Sequence, residues 1–239
     1  MNLKYRILFS FIGIFMIGIT ALFSMYFSRA ILNSEKYKIM GVDVSAYQGE
    51  IDWKIIENQG IDFAFIKATE GSGMTDDYIR RNLENIAETH IYHSAYHFFS
   101  FDSAGETQAQ NYISAVGKNE INLPPVIDVE FYGDKWDNPP TAEETYNILC
   151  PLLERLEEYY GVKPIIYTTS FLYYKYIYSE FSEYPLWIRN VNSEPLIINW
   201  DFWQFSDKGM LNGYHGREKY IDLNVYNGTK EEFLSKMKF

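Results

Sequence analysis

The sequence is poor in the residues that build covalently linked or metal-held scaffolds. Its 239 residues include one cysteine, Cys150, which excludes an intramolecular disulfide and a cysteine-rich zinc cluster and reads as buried filler. The four histidines, His90, His93, His97 and His215, show no HExxH spacing, so they read as packing or hydrogen-bonding residues and no metal or other cofactor is expected. There is no G-x-S-x-G elbow and no Walker loop, which removes serine-hydrolase and P-loop chemistry. Basic charge is also scarce, with 21 Lys and Arg against 32 Asp and Glu. Residues 1–38 hold five of the basic groups and one acid, so the remaining 201 residues carry 16 against 31, a balance of −15. A surface that acidic has no means of gripping a phosphate backbone, and nucleic acid is not an expected partner. No repeat, heptad or low-complexity segment is present.

Charge is missing altogether from Ile7 to Phe27, a run of 21 residues. As a helix rising about 1.5 Å per residue it spans roughly 31 Å, close to a hydrocarbon core of about 30 Å. It predicts a retained single-pass membrane anchor, with the rest of the chain outside the cytoplasm. The alternative is a cleaved signal peptide and a secreted product, since Ser28-Arg29-Ala30 supplies small residues at the positions a signal peptidase reads. Beyond a short polar linker the sequence is rich where it was poor before: aromatic residues make up 18% of the chain, which excludes a disordered or collagen-like body.

From residue 39 the chain alternates. Short apolar runs read as strands at 39–45, 62–68, 92–100, 125–131, 163–168, 185–191, 200–206 and 220–226. Helical periodicity covers 76–90, 103–117 and 141–160, and a last helix starts at Thr229. Ser103 with Glu106, and Thr141 with Glu144, fit capping boxes, and Pro151 predicts a kink or interruption of its helix. Alternating strands and helices imply parallel pairing, and eight strands imply closure into a barrel. Only residues 192–199 separate the sixth and seventh runs, too few for a helical crossover. The expected fold is therefore an irregular TIM-like α/β barrel over residues 39–239, of about five βα units followed by three strands, at least one antiparallel. Residues 1–38 precede it as tip, anchor and linker.

Chemistry in such barrels sits at the C-terminal strand ends. The first strand there carries Asp43, the fourth Asp128 and Glu130, and the eighth Asp222. Side chains two residues apart on a strand share a face, so Asp128 and Glu130 project together, about 6.6 Å apart along the backbone. Acids in an apolar strand are costly unless used or paired. Any single Asp at a strand end reads more readily as a cap or loop acid than as a catalytic one, and the Asp128–Glu130 pair is the more specific signal. Closure would bring Asp222 beside Asp43, and repulsion among four acids would lift at least one pKa into the general-acid range. Tyr96, Tyr167, Trp187 and Trp203 fall near the same mouth, and Gln48 follows Asp43 in the first loop. Flat rings with polar tips suit sugar faces, although rings on strands are also ordinary core. Carboxylates with aromatic platforms point to a glycosidase.

Seven segments then fall in order: Gly41-Val-Asp-Val-Ser-Ala-Tyr-Gln-Gly49, Phe65-Ile-Lys-Ala-Thr-Glu-Gly71, Ala95-Tyr-His-Phe98, Asp128-Val-Glu130, Leu186-Trp-Ile188, Trp203-Gln-Phe-Ser206 and Ile221-Asp-Leu-Asn224. On these the body resembles glycoside hydrolase family 25, the lysozymes (N-acetylmuramidases) of the Chalaropsis and cellosyl type. The resemblance implies an irregular barrel and hydrolysis of the β-1,4 bond between N-acetylmuramic acid and N-acetylglucosamine in peptidoglycan. It implies Glu130 as general acid, Asp128 as the carboxylate that stabilises the reacting sugar, and Asp43 and Asp222 as supporting acids. Two departures stand out: Arg189 follows Ile188 where the family usually has a small residue, and Thr89-His-Ile-Tyr92 lacks glycines common before the third strand. The other readings are a tethered sugar-binding barrel without activity and a glycosidase of another amino-sugar polymer such as chitin.

The charge of the body yields a test. Repulsion between a −15 domain and anionic wall polymers should make activity rise with added salt below about 0.1 M, as screening sets in. Initial rates on cell walls across an ionic-strength series check this, and a flat or falling profile counts against charge as the barrier to approach.

Overall fold

The computed structural model describes residues 36–237 apart from residue 198. The chain divides into two units, Met1–Lys38 and Ile39–Phe239, and the account below concerns the second. The expected anchor over 7–27 lies outside the described residues. Among the described residues no helix is long and apolar enough to cross a membrane.

The second unit holds β1 (Met40–Val44), β2 (Phe63–Glu70), β3 (Met74–Thr75), β4 (Tyr92–Phe98), β5 (Val126–Val129), β6 (Ile165–Thr169), β7 (Leu186–Arg189), β8 (Phe202–Gly209) and β9 (Ile221–Tyr226). In the order β1-β9-β8-β7-β6-β5-β4-β2, with β2 returning to β1, eight strands close a barrel. The remaining strand, β3, is a two-residue return that pairs antiparallel to β2 outside the barrel, and no sequence signal marked it. The helices are α1 (Trp53–Glu57), α2 (Ile79–Ile86), α3 (Gly105–Ala115), α4 (Ala142–Tyr160), α5 (Ser170–Leu172), which continues as a wider π turn over Tyr173–Ile177, and α6 (Lys230–Lys236). A helix thus lies between each of the first five barrel strands and the next. Among the described residues no helix joins β7 to β8, and β9 runs antiparallel to both β8 and β1.

Both faces of the strands are buried, which is why they read as near-continuous apolar runs. Ala64, Ile66, Ile127, Val129, Ile166 and Ile188 point outward under the helices. Inside, Phe63, Phe65, Tyr167, Trp187, Phe202 and Tyr226 fill the barrel, and Phe233 of α6 joins them. The Phe63 and Phe202 rings lie 5.1 Å apart edge to face, and Phe65 lies 4.5 Å from Trp187. With one end of the interior filled by rings, the polar residues further along the same strand faces collect at the other end.

The helix ends separate good signals from misleading ones. Thr141 caps α4 as expected: its Oγ1 accepts from Glu144 N at 3.1 Å and Glu144 Oε2 accepts from Thr141 N at 2.8 Å. The α4 helix runs unbroken through Pro151, because Leu149, Leu152, Leu153 and Leu156 are fully buried around it and packing outweighs one missing N–H. The box expected at Ser103 does not form. Ala104 is the capping residue and makes no side-chain bond, while Gln108 Nε2 donates to the carbonyls of Ser100 and Ser103, both at 2.8 Å, and holds that turn outside the helix. Cys150 is half-buried on α4 rather than in the core.

Candidate active site

At the C-terminal ends of the parallel strands the barrel opens into a cavity of about 360 Å³. Eight of the nine residues expected at the site line it: Asp43, Gln48, Tyr96, Asp128, Glu130, Tyr167, Trp187 and Asp222. Trp203 is not among them. Strand alternation turns its neighbour Gln204 inward and Trp203 outward, where its Nε1 donates to Asn190 O at 2.9 Å and its ring meets Trp200.

The topology explains the convergence. The antiparallel β1–β9 pair sets Asp222 directly opposite Asp43. The parallel register runs from Asp128 on β5 to Tyr167 on β6 to Trp187 on β7, and Glu130 follows Asp128 on the same face just past the strand. Asp43 is buried, and its Oδ2 accepts from Gln204 Nε2 at 2.9 Å and Asn224 Nδ2 at 2.8 Å. Gln204 Nε2 also reaches Asp222 Oδ2 at 3.3 Å. Both amides are held from behind: Tyr167 OH donates to Gln204 Oε1 at 3.0 Å, and Trp187 Nε1 donates to Asn224 Oδ1 at 2.9 Å. The Tyr167 and Trp187 rings, 4.3 Å apart, thus form the cavity floor and orient its polar network. Gln48 is spent on its own loop, accepting from Ser45 N at 2.9 Å and donating to Tyr220 O at 3.2 Å.

Asp128 differs from these groups. It is buried, and its Oδ1 has no hydrogen-bond partner. All four acids hold their protons more tightly than usual, and burial is the leading cause in each case, ahead of the mutual repulsion expected from the sequence. Asp128 is raised well above the ordinary range by burial and then by the Glu130 charge, with Lys67 opposing. Glu130 is raised by burial, with the Arg189 guanidinium pulling the other way. Asp222 is pushed up to about 9 by burial and the neighbouring Asp43. The Asp43–Asp222 pair titrates together, and both members hold their protons above the ordinary carboxylate range.

Gln204, Asn224 and Asp207 were not singled out from the sequence, and Arg189 stood there only as a departure. Arg189 Nη2 donates to Asp207 Oδ2 at 3.1 Å, and both side chains line the cavity. One signal was available for Asn224: it lies two residues after Asp222 in the strand, and so on the same face.

The sequence profile of glycosyl hydrolases family 25 matches residues 42–214, a span that contains Asp43, Asp128 and Glu130. The chain belongs to this family. A family 25 glycosyl hydrolase from Bacillus anthracis is 50% identical, with a TM-score of 0.79 over 83% of this chain and 93% of that one. The uncharacterized protein YegX of Escherichia coli is 36% identical over 86% of this chain and 75% of its own length. Lysozyme M1 of Streptomyces globisporus is 27% identical over 87% of this chain and 74% of its own. For a family 25 barrel, Asp222 lies beyond the matched span, so its place opposite Asp43 rests on the strand pairing.

The Asp222 proton has a consequence for stability. The folded chain keeps it to about pH 9, whereas an unfolded chain releases it near the ordinary value of 3.8. Between those limits the folded state binds more protons, so this contribution is fully present below the window and is lost as pH rises through it. Asp222→Asn, which can still donate to Asp43, should lose less thermal stability than the parent between about pH 5 and about pH 9. Parallel Tm–pH curves for the two proteins would contradict the assignment.

Proposed function

We propose that this cavity hydrolyses the β-1,4 bond between N-acetylmuramic acid and N-acetylglucosamine of peptidoglycan, with Glu130 as general acid and Asp128 as its partner. Lysozyme-type glycoside hydrolysis is the activity of this chain on its family membership and its likeness to lysozyme M1. The observation that carries the residue roles is the lone Asp128 Oδ1 beside Glu130, in a cavity whose other buried polar groups are satisfied. Buried acceptors are almost always bonded. An amide N–H supplied by the 2-acetamido group of a bound sugar would satisfy this one.

That bond also places the proton. Burial favours the proton on Asp128, while Arg189 favours the Glu130 anion. An N–H donated to Asp128 Oδ1 stabilises the Asp128 anion and shifts the shared proton to Glu130, which then delivers it to the leaving glycosidic oxygen. As the glycosidic bond breaks, the Asp128 anion stabilises the positive charge on the anomeric carbon and holds the acetamido group in line; a water then adds to that carbon and returns its proton to Glu130. Asp43 and Asp222 hold the wall of the site. The same reading puts the barrel outside the cytoplasm, where its substrate lies, tethered through residues 7–27. Fractionation of cells expressing the full chain should find it in the membrane; a soluble exported product beginning near Ile31 would sink the tether.

Glu130→Gln keeps the shape and removes the proton, and should lower turnover on the order of 10²–10⁴-fold with substrate binding largely intact. Asp128→Asn should also cripple turnover, and in its residual activity the alkaline limb should move to lower pH, because with substrate bound the Asp128 anion no longer adds to the burial and the Asp43 charge that raise Glu130. Asp43→Asn and Asp222→Asn should be milder. Near-normal turnover in Glu130→Gln, with Asp222→Asn inactive, would reverse the roles.

A further inference from the structure

Four aromatic side chains that are more than half exposed lie in the two segments following β5 and β6: Trp136 (64%), Phe171 (60%), Tyr174 (63%) and Tyr178 (59%). None of them lines the cavity. Apolar surface of this kind, gathered in one place, marks a site of interaction far more often than scattered single residues do. They fall in two groups, Trp136 with Phe171 through Phe131, and Tyr174 with Tyr178. Phe131, the residue after Glu130, has its ring 5.2 Å from Trp136 and 6.4 Å from Phe171. Tyr174 follows Phe171 by three residues in the same helical segment, and its ring is 5.9 Å from Tyr178.

The exposed rings are braced from beneath. Tyr173 is buried and touches both Tyr174 and Tyr178, at 5.1 and 5.9 Å. Tyr176 is buried against Phe131, and its hydroxyl donates to Pro140 O at 2.6 Å, which pins the loop that follows Trp136 to the helical segment. The segment itself is a π turn, with Tyr178 N donating to Tyr173 O at 2.9 Å. Such turns have poorer hydrogen-bond geometry than an α-helix and recur at functional positions.

We propose that Trp136, Phe171, Tyr174 and Tyr178 form an aromatic ledge that binds the glycan strand beyond the sugars held in the cavity, so that the enzyme favours long strands. The proposal rests on the muramidase reading above. The occupant follows from two observations. The ledge is carried by the segments that follow the C-terminal ends of β5 and β6, the end of the barrel at which the cavity opens, so a polymer leaving the cavity on that side runs onto it, and its rings offer flat faces for sugar C–H groups with tyrosine hydroxyls for sugar oxygens.

The full chain, Trp136→Ala/Phe171→Ala and Tyr174→Ala/Tyr178→Ala are assayed on a short soluble peptidoglycan tetrasaccharide and on long uncrosslinked glycan strands. Each double variant should raise KM on long strands about 3- to 10-fold, with kcat unchanged and the tetrasaccharide cleaved as by the parent. Tyr174→Phe/Tyr178→Phe, which keeps the rings, should restore most of the loss. Equal losses on both substrates, or no loss on long strands, overturn the ledge. So does weaker partitioning onto phosphatidylcholine vesicles with strand kinetics intact, which would assign the patch to a bilayer. A parent that cleaves neither substrate removes the muramidase reading itself, and the ledge with it.

Discussion

A carboxylate taken out of water has to be met by donors, and the way Asp43 is met organises the whole mouth of the barrel. Its donors are Gln204 of β8 and Asn224 of β9, the two strands that complete the closure. They arrive there only because β9 runs antiparallel to both neighbours, which pairs Gln204 with Asn224 and Asp222 with Asp43. Tyr167 and Trp187 then fix the two amides from the opposite wall. A chain of bonds therefore crosses the barrel from β6 and β7 to β1. Shortening any strand, or slipping its register by one residue, would strand a buried charge.

Against that satisfied wall, the empty valence on Asp128 acquires meaning. Asn224, Gln204, Tyr167 and Trp187 are committed to one another, so none is free to turn toward β5. The site is divided into a side whose buried acids are met by fixed amides and a side, at Asp128, with an unpartnered buried oxygen. Burial, rather than repulsion among acids, is the leading cause of the raised proton affinity on both sides. A substrate that expels the remaining water deepens the same effect, since electrostatic interactions strengthen as the surroundings dry.

Much of this was legible in the sequence, and the failures have physical causes. Eight strand runs and the short span at 192–199 were enough for the mixed barrel, because strands buried on both faces announce themselves by composition and a short connection forbids a helix. Asp128 and Glu130 could be placed on one face because the strand period is fixed. Trp203 was misplaced by a single residue of phase, which moves a side chain from the cavity to the outer layer. Ser103 and Pro151 followed local rules that tertiary contacts overrode: Gln108 took the carbonyls of one turn, and four buried leucines carried the helix past the other. Gln204 and Asn224 were unmarked because an amide gains its importance from the buried charge it meets, and that meeting spans 161 and 181 residues of sequence.

Arg189 shows how the chain accommodates its departure from the family pattern. A bulky cation at the mouth holds down the proton affinity of Glu130, Asp43 and Asp222 alike, which by itself would weaken a general acid. Two features offset it. Asp207 takes up the guanidinium at 3.1 Å, so part of its field is neutralised at the rim before it reaches the cavity. Burial of Glu130 then outweighs what remains, and its carboxyl stays raised above the ordinary range. The departure is tolerated because burial, which Arg189 neither supplies nor removes, sets the raised proton affinity of Glu130; without Asp207 the unpaired guanidinium would pull that affinity down further, and without Arg189 the Asp207 anion would push that of Asp222 up.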